Sequence, residues 1–219
     1  HLEEGEPVCI TEKLDGANAR FVYHDGRYWV KTRNRWVKRQ PDYSHVTVEF
    51  LTAQKVEQAR AEEIVARLNS KEGSINSFWA MLEKNEPLMK FLRDKEGVTV
   101  YGEIYGNTNR LKYGLKDGNR FAAFDIYYRD CFYEAGKFLH ACTVNNIDVA
   151  PLYAAAIPYS FDMVKQYATG KTLVPGSNVI REGVVVRPVE ERYAYRLGRV
   201  IFKSVNPTFL AMDERGVTL

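Results

Sequence analysis

The chain has 219 residues, 45% of them apolar and 27% charged, which suffices for one sizeable core and excludes a disordered polar chain. Its 31 basic and 28 acidic side chains leave a net charge of +3, so charge alone neither demands nor excludes a nucleic acid partner. Three widely spaced cysteines without a CxxC pair argue against a disulfide framework or structural zinc site, and no apolar run reaches membrane-spanning length. A cytoplasmic, reducing compartment and no membrane association are the expectation.

Residues 8–11, 19–23 and 28–32 are rich in β-branched and aromatic side chains and are predicted strands. His24-Asp25-Gly26-Arg27 reads as the hairpin turn between the last two. A helical stripe of Val56, Ala59, Ile64 and Leu68 predicts one helix over about 48–68. A second helical stretch over 75–92 is expected to be interrupted at Pro87. Strands return at 98–104 and 121–127, helices at 134–144 and 161–167, and strands again at 183–187 and 200–204. A short helix over 207–212 carries a proline in its first turn. No repeat or linker stands out, so the expectation is one α+β domain over 1–219, with antiparallel sheets flanked by helices.

Chemistry concentrates in a few segments. Thr11-Glu12-Lys13-Leu14-Asp15-Gly16-Ala17-Asn18 sets a lysine between acids at a strand end, before a glycine. Alone this is most simply a solvated lysine before a turn; as a nucleophile it requires a site that favours the free amine. Val100 to Gly106 places Glu103 inside an apolar strand, and Arg181 to Arg187 does the same with Glu182. Burying a carboxylate is costly unless it is paired or binds something. Phe124 and Asp125 stand together, and Lys203 follows three apolar residues. Each of these is individually compatible with a strand-end charge facing water; five in one chain are not easily dismissed together.

In this order the segments resemble the signature motifs of the covalent nucleotidyltransferases, which comprise DNA ligases, RNA ligases and mRNA capping enzymes. Residues 11–18 resemble motif I, 31–34 the short basic element that follows it, 100–106 motif III, 121–126 motif IIIa, 181–187 motif IV and 200–206 motif V. The branch that it is most similar to is the ATP-dependent RNA ligases of the phage nick-sealing type. Asn18 stands where DNA ligases and capping enzymes carry arginine, and residues 203–209 resemble the end of motif V in that branch. Too few residues follow Lys203 for an OB-fold in this chain. One departure is Val205, which occupies the place of a second motif V lysine; Arg199 is a candidate replacement.

The resemblance implies a nucleotidyltransferase domain of the ATP-grasp-like ligase type that uses ATP and Mg²⁺ or Mn²⁺. Lys13 is the expected nucleophile, capturing AMP, and Lys203 the α-phosphate contact. Glu12, Asp15, Asn18, Arg33, Glu103, Phe124 and Glu182 complete the nucleotide site, Phe124 by stacking on adenine or else as plain core. Glu182, Glu103 and Asp15 are the expected metal-side carboxylates. The expected partner is RNA with 5′-phosphate and 3′-OH ends, a nicked duplex among the candidates, bound by a monomer. Arg33, Arg35, Lys38 and Arg39, with Lys31 and the interleaved Trp29 and Trp36, suit backbone phosphates or a merely solvated face. Arg110, Lys112, Lys116 and Arg120 form a second basic patch. A DNA ligase core, a capping guanylyltransferase and a non-catalytic RNA-binding module are the competing readings.

Overall fold

A computed structural model describes residues 1–40, 43, 45–70 and 74–212. The expected domain span of 1–219 therefore includes residues outside the described ones. The chain begins with β1 (Pro7–Lys13), β2 (Gly16–His24) and β3 (Arg27–Thr32). Asp25 and Gly26 both take positive φ, 51° and 73°, the twist that a two-residue hairpin needs.

Helices α1 (Val48–Ala53) and α2 (Gln58–Asn69) follow, so the single helix expected over 48–68 is two. Lys55 adopts φ 64° between them, a left-handed conformation that a continuous helix cannot contain. Next come α3 (Ser77–Glu83) and α4 (Glu86–Asp94). Pro87 starts α4 rather than interrupting a longer helix: Asn85 accepts a hydrogen bond from the Leu88 N–H at 3.1 Å, and the proline occupies a first-turn place where no intrahelical N–H bond is lost.

The remaining elements are β4 (Thr99–Tyr105), β5 (Arg120–Tyr128), β6 (Cys131–Phe132), α5 (Ala135–Val144), β7 (Leu152–Pro158), α6 (Phe161–Ala168), β8 (Gly183–Pro188), β9 (Tyr193–Ala194), β10 (Gly198–Arg199), β11 (Phe202–Val205) and α7 (Pro207–Leu210). The sequence reading had no strand at β7. Within it Tyr153 is followed by three alanines, which carry little β preference, and only pairing with β1 makes the segment extended.

Among the described residues the strands form three antiparallel sheets: a four-stranded one in the order β11-β8-β1-β7, a five-stranded one in the order β3-β2-β4-β5-β6, and the small β10-β9 pair. Alternation along each strand gives each of the two larger sheets an apolar back and a chemical front. On the back of the large sheet, Phe21, Val30, Val100 and Ile126 pack against Leu82, Leu88, Phe91 and Phe138 of α3, α4 and α5. On the back of the small sheet, Val8, Ile10, Val184 and Val186 pack against Val164 and Ala168 of α6. The two fronts line one cleft.

Candidate active site

The cleft encloses about 450 Å³. From the small sheet it receives Thr11, Lys13, Val185, Arg187 and Lys203. From the large sheet it receives Asn18, Arg20, Tyr101, Glu103, Phe124 and Asp125, with Arg33 just past β3. Residues two apart on a strand share a face, which is why Asn18 and Arg20 stand together, as do Tyr101 and Glu103.

Lys13 ends β1 and is hydrogen-bonded to Glu182, its side chain only 22% exposed and that of Glu182 only 12%. Gly183, the register partner of Lys13, sits at φ 156°, and a Cβ there would overlap the Ser204 carbonyl oxygen. Glycine thus lets β11 lie close beside the Lys13–Glu182 pair. Asn206 holds the same corner: its Nδ2 donates to the Arg181 carbonyl at 3.0 Å, its N–H to the Glu182 carbonyl at 2.9 Å, and its Oδ1 caps α7.

Burial raises the Glu182 carboxyl above its ordinary acidity range, opposed by the hydrogen bond from Lys13. Glu103 is pushed up to about 7, first by burial, with Glu182 adding to the shift and Lys13, Lys203 and Arg33 opposing it. Those five charges therefore share one electrostatic neighbourhood. Two buried atoms of the cleft, Asn18 Oδ1 and Arg20 Nε, have no hydrogen-bond partner. Such orphaned groups are costly in a finished core and expected in a ligand site.

One end of the cleft is closed by a buried ionic network. Asp125 accepts from Arg187 at 2.8 Å and from Arg199 at 2.9 Å, and Arg199 also reaches Glu191 at 2.7 Å. Asp125 lies on β5 and Arg187 on β8, so the pair fastens the two sheets together.

The family model for RNA ligase matches residues 6–205. The chain belongs to the RNA ligase family. No curated protein sequence matches it, but solved structures do. An RNA ligase of Naegleria gruberi, in a variant with ATP and Mn, superposes with a TM-score of 0.66 at 18% identity, over 94% of this chain and 52% of that chain. The same enzyme with PPi gives 0.67 at 18% identity, over 94% and 51%. At that identity the likeness establishes the α+β, antiparallel-sheet fold, and the chain spans about half the length of those structures.

The expected RNA ligase residues fall into two groups. Lys13, Asn18, Arg33, Glu103, Phe124 and Lys203 line the cleft, with Glu182 bonded to Lys13. Glu12 also lines the cleft, but its carboxylate, like that of Asp15, is bonded elsewhere. Glu12, 2% exposed, accepts from the Tyr153 hydroxyl at 3.0 Å, from the Leu173 N–H at 2.8 Å and from the Thr172 hydroxyl. Strand alternation explains this, since neighbours of Lys13 point away from it. The Asp15 carboxylate accepts from the Leu111 N–H at 2.6 Å and its own N–H donates to the Tyr113 hydroxyl at 2.9 Å, which pins the loop after β4.

Val205 packs among apolar residues, and Arg199, the candidate for its missing cation, is tied to Asp125 and Glu191. Arg20 is the cation that the sequence reading missed; counting two residues on from Asn18 finds it. Of the basic run, Arg33, Arg35 and Lys38 are exposed, and Arg39 pairs with Glu83 at 2.6 Å. In the second patch Arg120 pairs with Asp117 and Arg110 lies on the Phe209 ring. Among the described residues, the one group of three potential metal ligands within reach of one another is His24, Asp25 and Glu96, all exposed and outside the cleft. Asp15, Glu103 and Glu182 thus form no ready three-carboxylate cage.

Proposed function

We propose that this chain is the nucleotidyltransferase domain of an ATP-dependent RNA ligase. The observation that carries the reading is Lys13, bonded to Glu182 in a cleft that also presents Glu103, Lys203 and Arg33 to one small volume, in a chain of the RNA ligase family. The Lys13 amine, once deprotonated, attacks the α-phosphorus of ATP; a P–N bond forms and the bond to pyrophosphate breaks. AMP then passes to an RNA 5′-phosphate, and a 3′-OH displaces it to form the new phosphodiester. Beyond the P–N bond to Lys13 the protein makes no covalent link, and every step moves a phosphoryl centre, so placement and charge neutralisation dominate.

Lys203 supplies positive charge to the phosphates, Phe124 a flat face for adenine, and Asn18 and Arg20 the unpartnered polar atoms that the nucleotide satisfies. The two carboxylates whose ionisation burial opposes, Glu103 and Glu182, fit a divalent ion such as Mn²⁺ or Mg²⁺. Such ions use one or two carboxylates together with substrate phosphates, so no all-protein cage is required, and they neutralise charge on the phosphates when bound. Solved Naegleria gruberi RNA ligase structures with ATP and Mn, and with AMP and Mn, support the same pairing of ligands here.

Intact mass after incubation with ATP and Mn²⁺ tests the reading. One added AMP, lost in Lys13→Ala, is expected. Label from GTP but not ATP would overturn it in favour of a capping activity. Sealing assays with RNA or DNA on the 3′-OH side separate RNA ligase from DNA ligase.

A further inference from the structure

The front of the five-stranded sheet does not end at the cleft. Its cross-strand register sets Lys31 beside Arg20 and Arg20 beside Tyr101, then Trp29 beside Val22, then Arg27 beside His24. Alternation puts all of these on the face that carries Asn18 and Glu103. Beyond the turn after β3, Trp36 bridges Lys31 and so falls on that face too. Trp29 and Trp36 meet edge to face with ring centroids 5.7 Å apart, and Trp36 is 59% exposed. With Val22, His24 and Gly97 they line an open hollow of about 540 Å³.

Cations surround this aromatic floor. Lys31 Nζ lies 5.2 Å from the Trp36 ring centre and Arg27 Cζ 4.1 Å from that of Trp29. Among the described residues, none of Arg27, Lys31, Arg33, Arg35 and Lys38 has a carboxylate within ion-pair distance. The acidic side chains Asp25 and Glu96, beside His24, bound the strip at its far end. Val22 is four residues along β2 from Asn18, about 13 Å at about 3.3 Å per residue, a span of a few nucleotides.

Exposed flat rings ringed by unpaired cations and continuous with a phosphate-handling cleft match one chemistry, a single-stranded polynucleotide whose bases stack and whose phosphates are neutralised. We propose that Trp29 and Trp36 form a nucleobase-stacking subsite that holds an unpaired nucleotide of the RNA strand whose reacting end lies in the cleft. This rests on the RNA ligase reading.

The test measures binding of a short 5′-phosphorylated single-stranded RNA to the unaltered chain, Trp36→Ala and Trp36→Phe, with AMP capture by Lys13 measured in parallel. Trp36→Ala is expected to weaken RNA binding about tenfold, as loss of one base–aromatic stack does. Trp36→Phe should keep most of the affinity, and AMP capture should be unchanged in both. Equal RNA affinity of Trp36→Ala and the unaltered chain would overturn the subsite, as would equal losses in Trp36→Ala and Trp36→Phe. A polyglutamate that displaces the RNA and itself depends on Trp36 would overturn it in favour of an acidic protein partner. AMP capture with Trp36-independent RNA binding sinks the subsite alone; Trp36-dependent RNA binding without AMP capture sinks the ligase reading alone.

Discussion

Lys13 and Glu182 are hydrogen-bonded at the mouth of the two-sheet cleft, and the glycine that follows Glu182 is the strand partner of Lys13 itself. Lys13, the proposed nucleophile, and its carboxylate partner are therefore set by one β1–β8 register, with no loop between them to absorb an error. Glu182→Gln keeps the shape and removes the charge. It is expected to slow AMP capture about 10²-fold, the scale on which a single electrostatic contact to a phosphoryl centre acts. Single-turnover labelling with ATP measures it, and an unchanged rate would remove Glu182 from the chemistry.

Glu103 should leave a mark on stability as well. Its folded carboxyl titrates at about 7 against an ordinary value of 4.5, so the folded chain holds a proton that the unfolded chain has released. Stability then falls as pH rises from 4.5 to about 7, by up to about 3 kcal/mol, and is level above that. Glu103→Gln removes the slope and should be the more stable protein at pH above 7. Thermal unfolding in chelator across that range checks this; parallel curves for the two proteins would contradict it.

Asp125 is the shared partner of two guanidinium groups that burial leaves with little water. Asp125→Ala leaves Arg187 without its carboxylate and Arg199 with Glu191 alone, and should cost about 3–5 kcal/mol, as breaking a buried pair from one side does. The urea midpoint reads the effect. Because the network joins β5 to β8, AMP capture should weaken too, even under conditions where the variant is folded.

Gly183→Ala tests the close approach of β11. A methyl group there meets the Ser204 carbonyl at a backbone conformation that L-residues avoid. A loss of about 1–3 kcal/mol is expected from strain of this kind. Since Lys203 rides on β11, AMP capture should fall by more than the folded fraction does. Full-rate AMP capture by Gly183→Ala would show that the strand spacing does not matter to the phosphate contact.

Most strands and the order of the chemical segments were legible in the chain, because alternation and acid or lysine residues inside apolar runs are local signals. Lys13 at a strand end, Glu103 within β4 and Glu182 before β8 could be read from neighbours alone. The break at Lys55 could not, since no glycine or proline marks it, and β7 could not, since its alanines become a strand only when β1 lies alongside.

The sequence by itself determined the covalent identities: a lysine, two carboxylates and a second lysine at spacings that place them on or beside separate strands. Which of them share a volume was decided by the tertiary structure alone. Glu12 and Asp15 sit within two residues of Lys13 in the chain, yet hydrogen bonds to Leu173, Tyr153 and Leu111 draw their carboxylates off. Arg20, farther along the chain than either, enters the cleft because it shares Asn18's face of β2. Direction of a side chain depends on strand register and on which partners satisfy its charge, and those are long-range quantities that no local stretch of sequence contains.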